Sequence, residues 1–310
     1  MGEHRHLLLV NPAAGAGRAG RLLQDTRAAL ERAGIEHRLV TTRGIEHGVE
    51  EARAAAAAGE RVLVMSGDGL IGHVGGALAE GDGVMGILPG GRGNDLARVL
   101  GIPSDPVVAA FELAAYEVVR IDVGEANGRR FLCIASCGFD SVANEIANRT
   151  RALRGRLVYA YAALRALVGW RPARFTLTLD GERVELRGYS VAAANSRAYG
   201  GGMLIAPEAD LTDGMVDVIA VGEGGKLAFL RGLPQVFRGA HLQREEVRSW
   251  RVRELRIEAD RPFTVFADGD PLTELPATVR VIPRALNVLV PPGVVGSPAL
   301  RSASVQSSGT

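Results

Sequence analysis

The chain has 310 residues, 47% apolar and 23% charged, ordinary globular material long enough for two domains of roughly 150 residues or one larger one. Its 36 basic and 35 acidic residues leave a net charge of +1, which argues against nucleic-acid binding through a strong global field. Lys226 is the only lysine, so a Walker-type Gly-Lys-Ser/Thr loop is excluded and positive charge at a phosphate would have to come from arginine.

In chain order, residues 7–10 (LLLV) read as a first strand that stops at Asn11-Pro12, too short for the apolar core of a signal peptide. The loop NPAAGAGRAG leads into a helix over 21–33 closed by Gly34, then a strand over 35–42 and an alanine-rich helix over 46–59. Residues 61–65 give a third strand that turns at Ser66-Gly67-Asp68-Gly69 into a helix over 71–80. A fourth strand, 84–88, turns at Pro89-Gly90-Gly91-Arg92-Gly93-Asn94-Asp95 into a helix through Val99. This alternation predicts an α/β domain with a parallel, doubly wound sheet and right-handed crossovers. In such sheets ligands bind beyond the carboxyl ends of the strands. Three of these ends, near residues 11, 66 and 90, carry glycine-rich loops, where backbone N–H groups can point at phosphate with no Cβ in the way. Each alone is equally an ordinary turn; their convergence points to a nucleotide. Asp68 is the one charged side chain at its strand tip, and a carboxylate among phosphates implies Mg²⁺ or a proton to accept.

After residue 123 the pattern changes. Strands are expected at 131–136, 175–179, 182–186, 189–194, 215–221, 247–259, 263–267 and 278–282, with helices at 141–150, 157–169 and 226–239. Such a series predicts a mostly antiparallel, β-rich second domain over 124–285, beside an α/β domain over 1–123. A strand at 286–290 is expected to rejoin the first domain with the segment up to 295, and the Ser- and Gly-rich stretch 296–310 to be a disordered tail. The longest apolar helix, 157–170, is interrupted by Arg165 and too short to span a bilayer. Cys133 and Cys137 lack metal-ligand company and suit a reducing compartment, so a soluble cytoplasmic protein is expected.

Three segments, Asn11-Pro12-Ala13-Ala14-Gly15-Ala16-Gly17-Arg18, Ser66-Gly67-Asp68-Gly69-Leu70 and Gly91-Arg92-Gly93-Asn94-Asp95, resemble in order and spacing the NPxxGxGR, GGDGT and GTGND loops of the diacylglycerol kinase catalytic family. That family includes bacterial lipid kinases, sphingosine kinases and ceramide kinases. Gly138-Phe139-Asp140, Asn195, residues 200–202, Asp213-Gly214 and Asp268-Gly269-Asp270 fall where it has further motifs, so the resemblance covers about residues 5–292. It implies a two-domain lipid kinase fold and ATP-dependent transfer of the γ-phosphate to a lipid hydroxyl, most simply diacylglycerol to phosphatidic acid.

The ATP-binding residues it implies are Asn11, Gly15, Gly17, Arg18, Thr42, Ser66, Gly67, Asp68, Gly69, Gly91, Arg92, Asn94 and Asp95, with helix capping the competing role for Asn94 and Asp95. The catalytic pair it implies is Asp270 and Asp68. Asp270 stands at the family's general-base position, where the usual residue is Glu, and its reach is shorter by about 1 to 1.5 Å. A plain hairpin turn is its competing role. The resemblance further implies a structural Mg²⁺ held by the Asp213 carboxylate and the carbonyls of Asp210 and Met215, where Thr212-Asp213-Gly214 also reads as a turn, and a lipid headgroup near Asn144 and Glu145. Arg149, Arg151, Arg154 and Arg156 suit an anionic lipid surface. Peripheral contact with the inner membrane leaflet, a homodimer and no nucleic acid complete the expected partners. Ser66, Leu70 and Arg92 depart from the bacterial consensus and leave the lipid open. Arg92 together with Asp270 leaves standing a lipid-binding homologue without phosphoryl transfer. The loop from Ser66 to Leu70, which resembles the sphingosine kinase version, leaves standing a sphingoid-base kinase, and the GGDG-type loop shared with NAD kinases an NAD kinase-like enzyme.

Overall fold

The computed structural model describes residues 5–149, 156–301 and 303. The first half follows the alternation read from the sequence: β1 (His6–Val10), α1 (Ala14–Arg32), β2 (His37–Thr41), α2 (Ile45–Ala57), β3 (Arg61–Ser66), α3 (Asp68–Leu78), β4 (Val84–Pro89), α4 (Asp95–Val99) and α5 (Pro106–Glu112). Its strands lie parallel in the order β4-β3-β1-β2. β1 and β3 read as unbroken aliphatic runs because both of their faces are covered, with Leu7 to Val10 and Val62 to Met65 fully buried. β2, at the edge, is half open to solvent and mixes polar residues. α5 starts where Asp105 accepts from the Val107 N–H (2.8 Å) with Pro106 behind it, a standard N-cap followed by proline.

The second half contains β5 (Glu117–Ala126), β6 (Arg129–Phe131), β7 (Ile134–Gly138), α6 (Phe139–Arg149), α7 (Arg156–Gly169), β8 (Ala173–Leu179), β9 (Glu182–Ala194), β10 (Val216–Gly222), α8 (Lys226–Val236), β11 (Val247–Val252), β12 (Glu254–Ala259), β13 (Thr264–Ala267), β14 (Asp270–Glu274) and β15 (Ala277–Val290). Its pairings are antiparallel, as in β8 with β9 and β13 with β14, and only β15 joins the first sheet, running parallel to β4. β8 and β9 are joined by Asp180 and Gly181, both at positive φ, the geometry that makes Asp-Gly a hairpin signal.

Four expectations are corrected. The strands expected at 182–186 and 189–194 are one strand, β9, running through Gly188, where a Cβ would overlap the Val221 carbonyl. The strand expected at 247–259 is two: β11 pairs with β10 and β12 with β8 and β15, the corner at Arg253 being held by its N–H on the Asp180 carboxylate (3.0 Å). The pieces expected at 278–282 and 286–290 are one long β15, kinked at Arg284 (φ 50°) and paired along both parts with β5. The stretch from 296 is not free at its start, because Ala299 and Leu300 are buried and the Leu211 N–H donates to the Ala299 carbonyl (2.9 Å). The rest of that stretch, 302 and 304–310, lies outside the described residues, as do 150–155 and the side chains of Arg149 and Arg156.

Two apolar cores result. One surrounds the parallel strands and takes in Leu286 to Val290; the other lies inside the β-rich half and takes in Ala277, Val279 and Val281. β15 therefore stitches the two together, and beyond the carboxyl end of β4 Asp95 meets Gly201 and Gly202 of the second half.

Candidate functional site

Glycine brings the three loops into contact. At Gly15 the backbone is left-handed (φ 61°), and a Cβ there would overlap the Gly90 carbonyl; a Cβ on Gly91 would overlap Gly67. After Gly67, in extended conformation, α3 begins, and the Ile71 N–H closes its first turn on the Gly67 carbonyl (3.3 Å). The N–H groups of Asp68, Gly69 and Leu70 thus form an open helix N-terminus, a natural seat for an anion.

Three carboxylates then hold main-chain N–H groups in pairs. Asp68 accepts from the N–H groups of Asn94 (2.8 Å) and Asp95 (2.7 Å). Asp95 accepts in turn from Gly201 (2.9 Å) and Gly202 (2.8 Å), which brings in a loop from the second half. Asp268, on the β13–β14 hairpin, accepts from Leu132 (2.6 Å) and Cys133 (2.9 Å). Burial, and after it the charge of Asp95, pushes the Asp68 carboxyl above its ordinary range. Burial pushes Asp268 up to about 6, its N–H bonds pulling the other way and the charge of Asp68 adding to the rise. The Arg98 guanidinium stands at the edge of this cluster, donating to the Gly93 carbonyl (3.2 Å) and lying against Gly202.

Asp270 stands where this arrangement opens. A Cβ on Gly69 would lie 3.0 Å from its Oδ2, and the Nε2 of His73 lies 3.7 Å from the same oxygen, so the carboxylate sits over the first turn of α3. Asp68 and Asp270, far apart in sequence, therefore share one turn of helix.

The remaining candidates sort by what they touch. Asn94 does not cap α4: its backbone is left-handed (φ 50°) and its side chain grips Gly91, accepting from the N–H (2.9 Å) and donating to the carbonyl (3.1 Å). Asp95 likewise reaches across to residues 201 and 202, so the capping roles are replaced by loop bracing. Arg18 is turned to the carbonyls of Pro89 (3.0 Å) and Ser104 (3.1 Å), tying α1 to the loops after β4. Asn11 accepts from the Ala13 N–H (3.1 Å) and shapes the first loop, in which Gly17 is also left-handed (φ 82°). Thr42 follows β2 next to that loop, its N–H on the Val10 carbonyl (2.8 Å), while Ser66 is buried and Arg92 is exposed at its loop tip. The sequence motifs included residues 200–202 without their partner Asp95, and they passed over His73; the run Asp68-Gly69-Leu70-Ile71-Gly72-His73 held the signal, since residues four apart share a helix face.

The residues expected to hold structural Mg²⁺ are arranged otherwise. Asp213 accepts from the Met215 N–H (3.0 Å) through one oxygen, and its other oxygen faces Arg251 Nη1 at 3.6 Å. Arg251 also reaches Asp217 (3.3 Å) and the Glu208 carbonyl (2.8 Å), while Asp210 accepts from the N–H (3.0 Å) and hydroxyl (2.6 Å) of Thr212. Among the described residues no group of three or more His, Cys, Asp or Glu side chains could hold a metal ion. The Arg251 guanidinium thus faces the Asp213 oxygen that a cation held by this loop would share. Arg251→Met should lower the melting temperature by about 2–5 °C in calorimetry, the cost of half-buried carboxylates left without their partner.

For the expected headgroup contacts, α6 carries both residues. Glu145 lines a cavity of about 880 Å³ between α6, α7 and the β13–β14 hairpin; the side chain of Asn144 lies outside the described residues. Val142, Ile146, Trp170, Phe263 and Phe266 give the cavity an apolar wall.

Comparison with known proteins agrees with this geometry. Residues 5–126 match the family described as the diacylglycerol kinase catalytic domain, and residues 133–290 match the YegS C-terminal NAD kinase beta sandwich-like domain. A diacylglycerol kinase of Mycobacterium tuberculosis is 36% identical over 292 residues, 91% of this chain and 94% of that protein. A probable lipid kinase YegS-like of Pseudomonas aeruginosa is 34% identical over 260 residues, 82% of each chain. The crystal structure of a putative diacylglycerol kinase from Bacillus anthracis superposes with a TM-score of 0.80 at 24% identity, covering 94% of this chain and 97% of that one, a likeness of fold. With an α/β half, an antiparallel β-rich half and matches across nearly its whole length, the chain belongs to the diacylglycerol kinase catalytic family and is a kinase.

Proposed function

We propose that this kinase transfers the γ-phosphate of ATP to the hydroxyl of a membrane lipid, with diacylglycerol as acceptor and phosphatidic acid as product. The observation that carries the reading is the position of Asp270 over the open N-terminus of α3, one turn from Asp68. Bound ATP supplies the phosphoryl group. The first-turn N–H groups of α3 and the glycine loops bind the phosphates, and Asp68 holds the loop of residues 91–95 against them. Asp270 takes the proton of the attacking hydroxyl.

The apolar cavity favours a lipid over a soluble acceptor. It reaches the hairpin whose tip carries Asp270, and Arg165, Arg171 and Arg261 lie at its rim. Tyr161, Leu164 and Val168 are exposed along α7, and exposed Leu227 follows Lys226, whose ammonium donates to the Val168 carbonyl (2.8 Å). Apolar side chains among arginines and a lysine suit the surface of an anionic bilayer, so peripheral contact on this face accompanies the reading. Among the described residues no helix is long and apolar enough to cross a membrane.

The test is incubation of the purified protein with labelled ATP, Mg²⁺ and NAD over vesicles of an anionic phospholipid carrying diacylglycerol, monoacylglycerol, ceramide or a sphingoid base. Label should pass to diacylglycerol. Label passing to NAD and to none of the lipids would overturn the lipid reading, and ATP binding without transfer to any acceptor would favour a lipid-binding homologue.

A further inference from the structure

We propose that His73 is a positioning residue for Asp270, holding one carboxylate oxygen so that the other faces the acceptor hydroxyl. The inference rests on the phosphoryl-transfer reading above and adds to it a residue on α3.

The geometry begins with two glycines. The β13–β14 hairpin lies so close to α3 that a Cβ on Gly72 would stand 3.2 Å from Asp268 Oδ2, and one on Gly69 would stand 3.0 Å from Asp270 Oδ2. His73 follows Gly69 by four residues and so shares its helix face, and long helical side chains lean toward the N-terminus, here toward Asp270. The two hairpin carboxylates are held differently. Asp268 is fixed by the N–H groups of Leu132 and Cys133. The Asp270 carboxylate makes no hydrogen bond among the described residues, and its ion-pair partner there is His73, at 3.7 Å, with side chains 47% and 38% exposed respectively. A carboxylate on a hairpin tip with no fixed neighbour samples several rotamers, and a base that must meet a hydroxyl in line loses rate for each misplaced ångström.

The other charges nearby leave His73 to Asp270. Asp268 is occupied as described, and Asp68 grips the loop of residues 91–95. Arg130, from β6, donates to the Gly76 carbonyl (2.8 Å), one turn further along α3. α2 meets α3 through Gly48 at Leu70, and its Arg53 goes to Glu80 (3.0 Å) past the far end of α3. The gap of 3.7 Å exceeds a hydrogen bond by less than an ångström, a distance that one side-chain rotation can close.

In the transfer step the acceptor oxygen forms the bond to the γ-phosphorus and the bond from that phosphorus to the β,γ-bridging oxygen breaks, its electron pair leaving on ADP. The proton of the hydroxyl passes to the Asp270 oxygen not held by His73. The imidazole exchanges no electrons and orients the base through an N–H or imidazolium contact.

The test is a double-mutant cycle in the full-length protein with lipid vesicles and ATP. His73→Gln should lower kcat about tenfold or more and leave KM for ATP and lipid within about twofold, the signature of an interaction made in the transition state. In an Asp270→Asn background the same change should cost less than about twofold, because its target is gone. Equal losses in both backgrounds, or a loss confined to KM, would overturn the proposal. If no acceptor is phosphorylated at all, NMR of the ¹⁵N-labelled imidazole decides the pairing separately: Asp270→Asn should shift the His73 ring signals, and unmoved signals would overturn it.

Discussion

Asp270→Asn should cut kcat by about two to four orders of magnitude, the range for removing a positioned general base, with KM for ATP nearly unchanged. The substitution is nearly isosteric, and the Asp270 carboxylate makes no hydrogen bond among the described residues, so the melting temperature should move by less than about a degree. Asp270→Glu sharpens the test. Its extra methylene restores about 1 to 1.5 Å of reach from a hairpin tip whose Gly69 neighbour offers no side chain, so activity should be kept or raised. Turnover of Asp270→Asn close to that of the parent enzyme would remove this residue from the chemistry and leave it a turn.

Asp68→Ala should be the more severe lesion, with turnover reduced at least a thousandfold. Its two oxygens hold the N–H groups of Asn94 and Asp95, and Asp95 in turn holds Gly201 and Gly202, so one truncation loosens a brace running from the first half of the chain to the second. Two N–H groups losing their acceptors cost about 1–3 kcal/mol each, and release of a desolvated carboxylate, evident in the raised Asp68 carboxyl, offsets part of it. The melting temperature should therefore fall by a few degrees. Measured well below that temperature, loss of turnover with the protein still folded separates a role in the site from a role in folding. Normal turnover in folded Asp68→Ala would sink the assignment.

Much of this architecture was legible in the residues. Aliphatic runs such as Leu7 to Val10 and Val62 to Met65 read as strands because both sheet faces are covered, and the glycines at their ends marked the loops that meet. What escaped was long-range. No local pattern says that Asp95 will reach Gly201 rather than cap α4, since capping is the nearer alternative and only tertiary contact overrides it. β15 was read as two pieces because the residues at its kink look like a turn, and a kinked strand has the same local signature. Ala299 and Leu300 were hidden in a polar stretch whose composition outweighs two apolar residues. Nor does any local pattern announce Arg251, which comes to Asp213 from a strand far along the chain. Asp270 and its approach to α3 were anticipated through the motif, whereas His73 needed the register of the hairpin on the helix.

The carboxylate clamps have a consequence for divergence. Asp68, Asp95 and Asn94 grip main-chain atoms, so the path of the loop between Gly91 and Asp95 is set without help from the side chain at 92. Arg92, projecting into solvent, is thereby released from scaffolding duty. Selection can exchange it for another residue and retune how the nucleotide is greeted, while the trellis that carries it stays where it is.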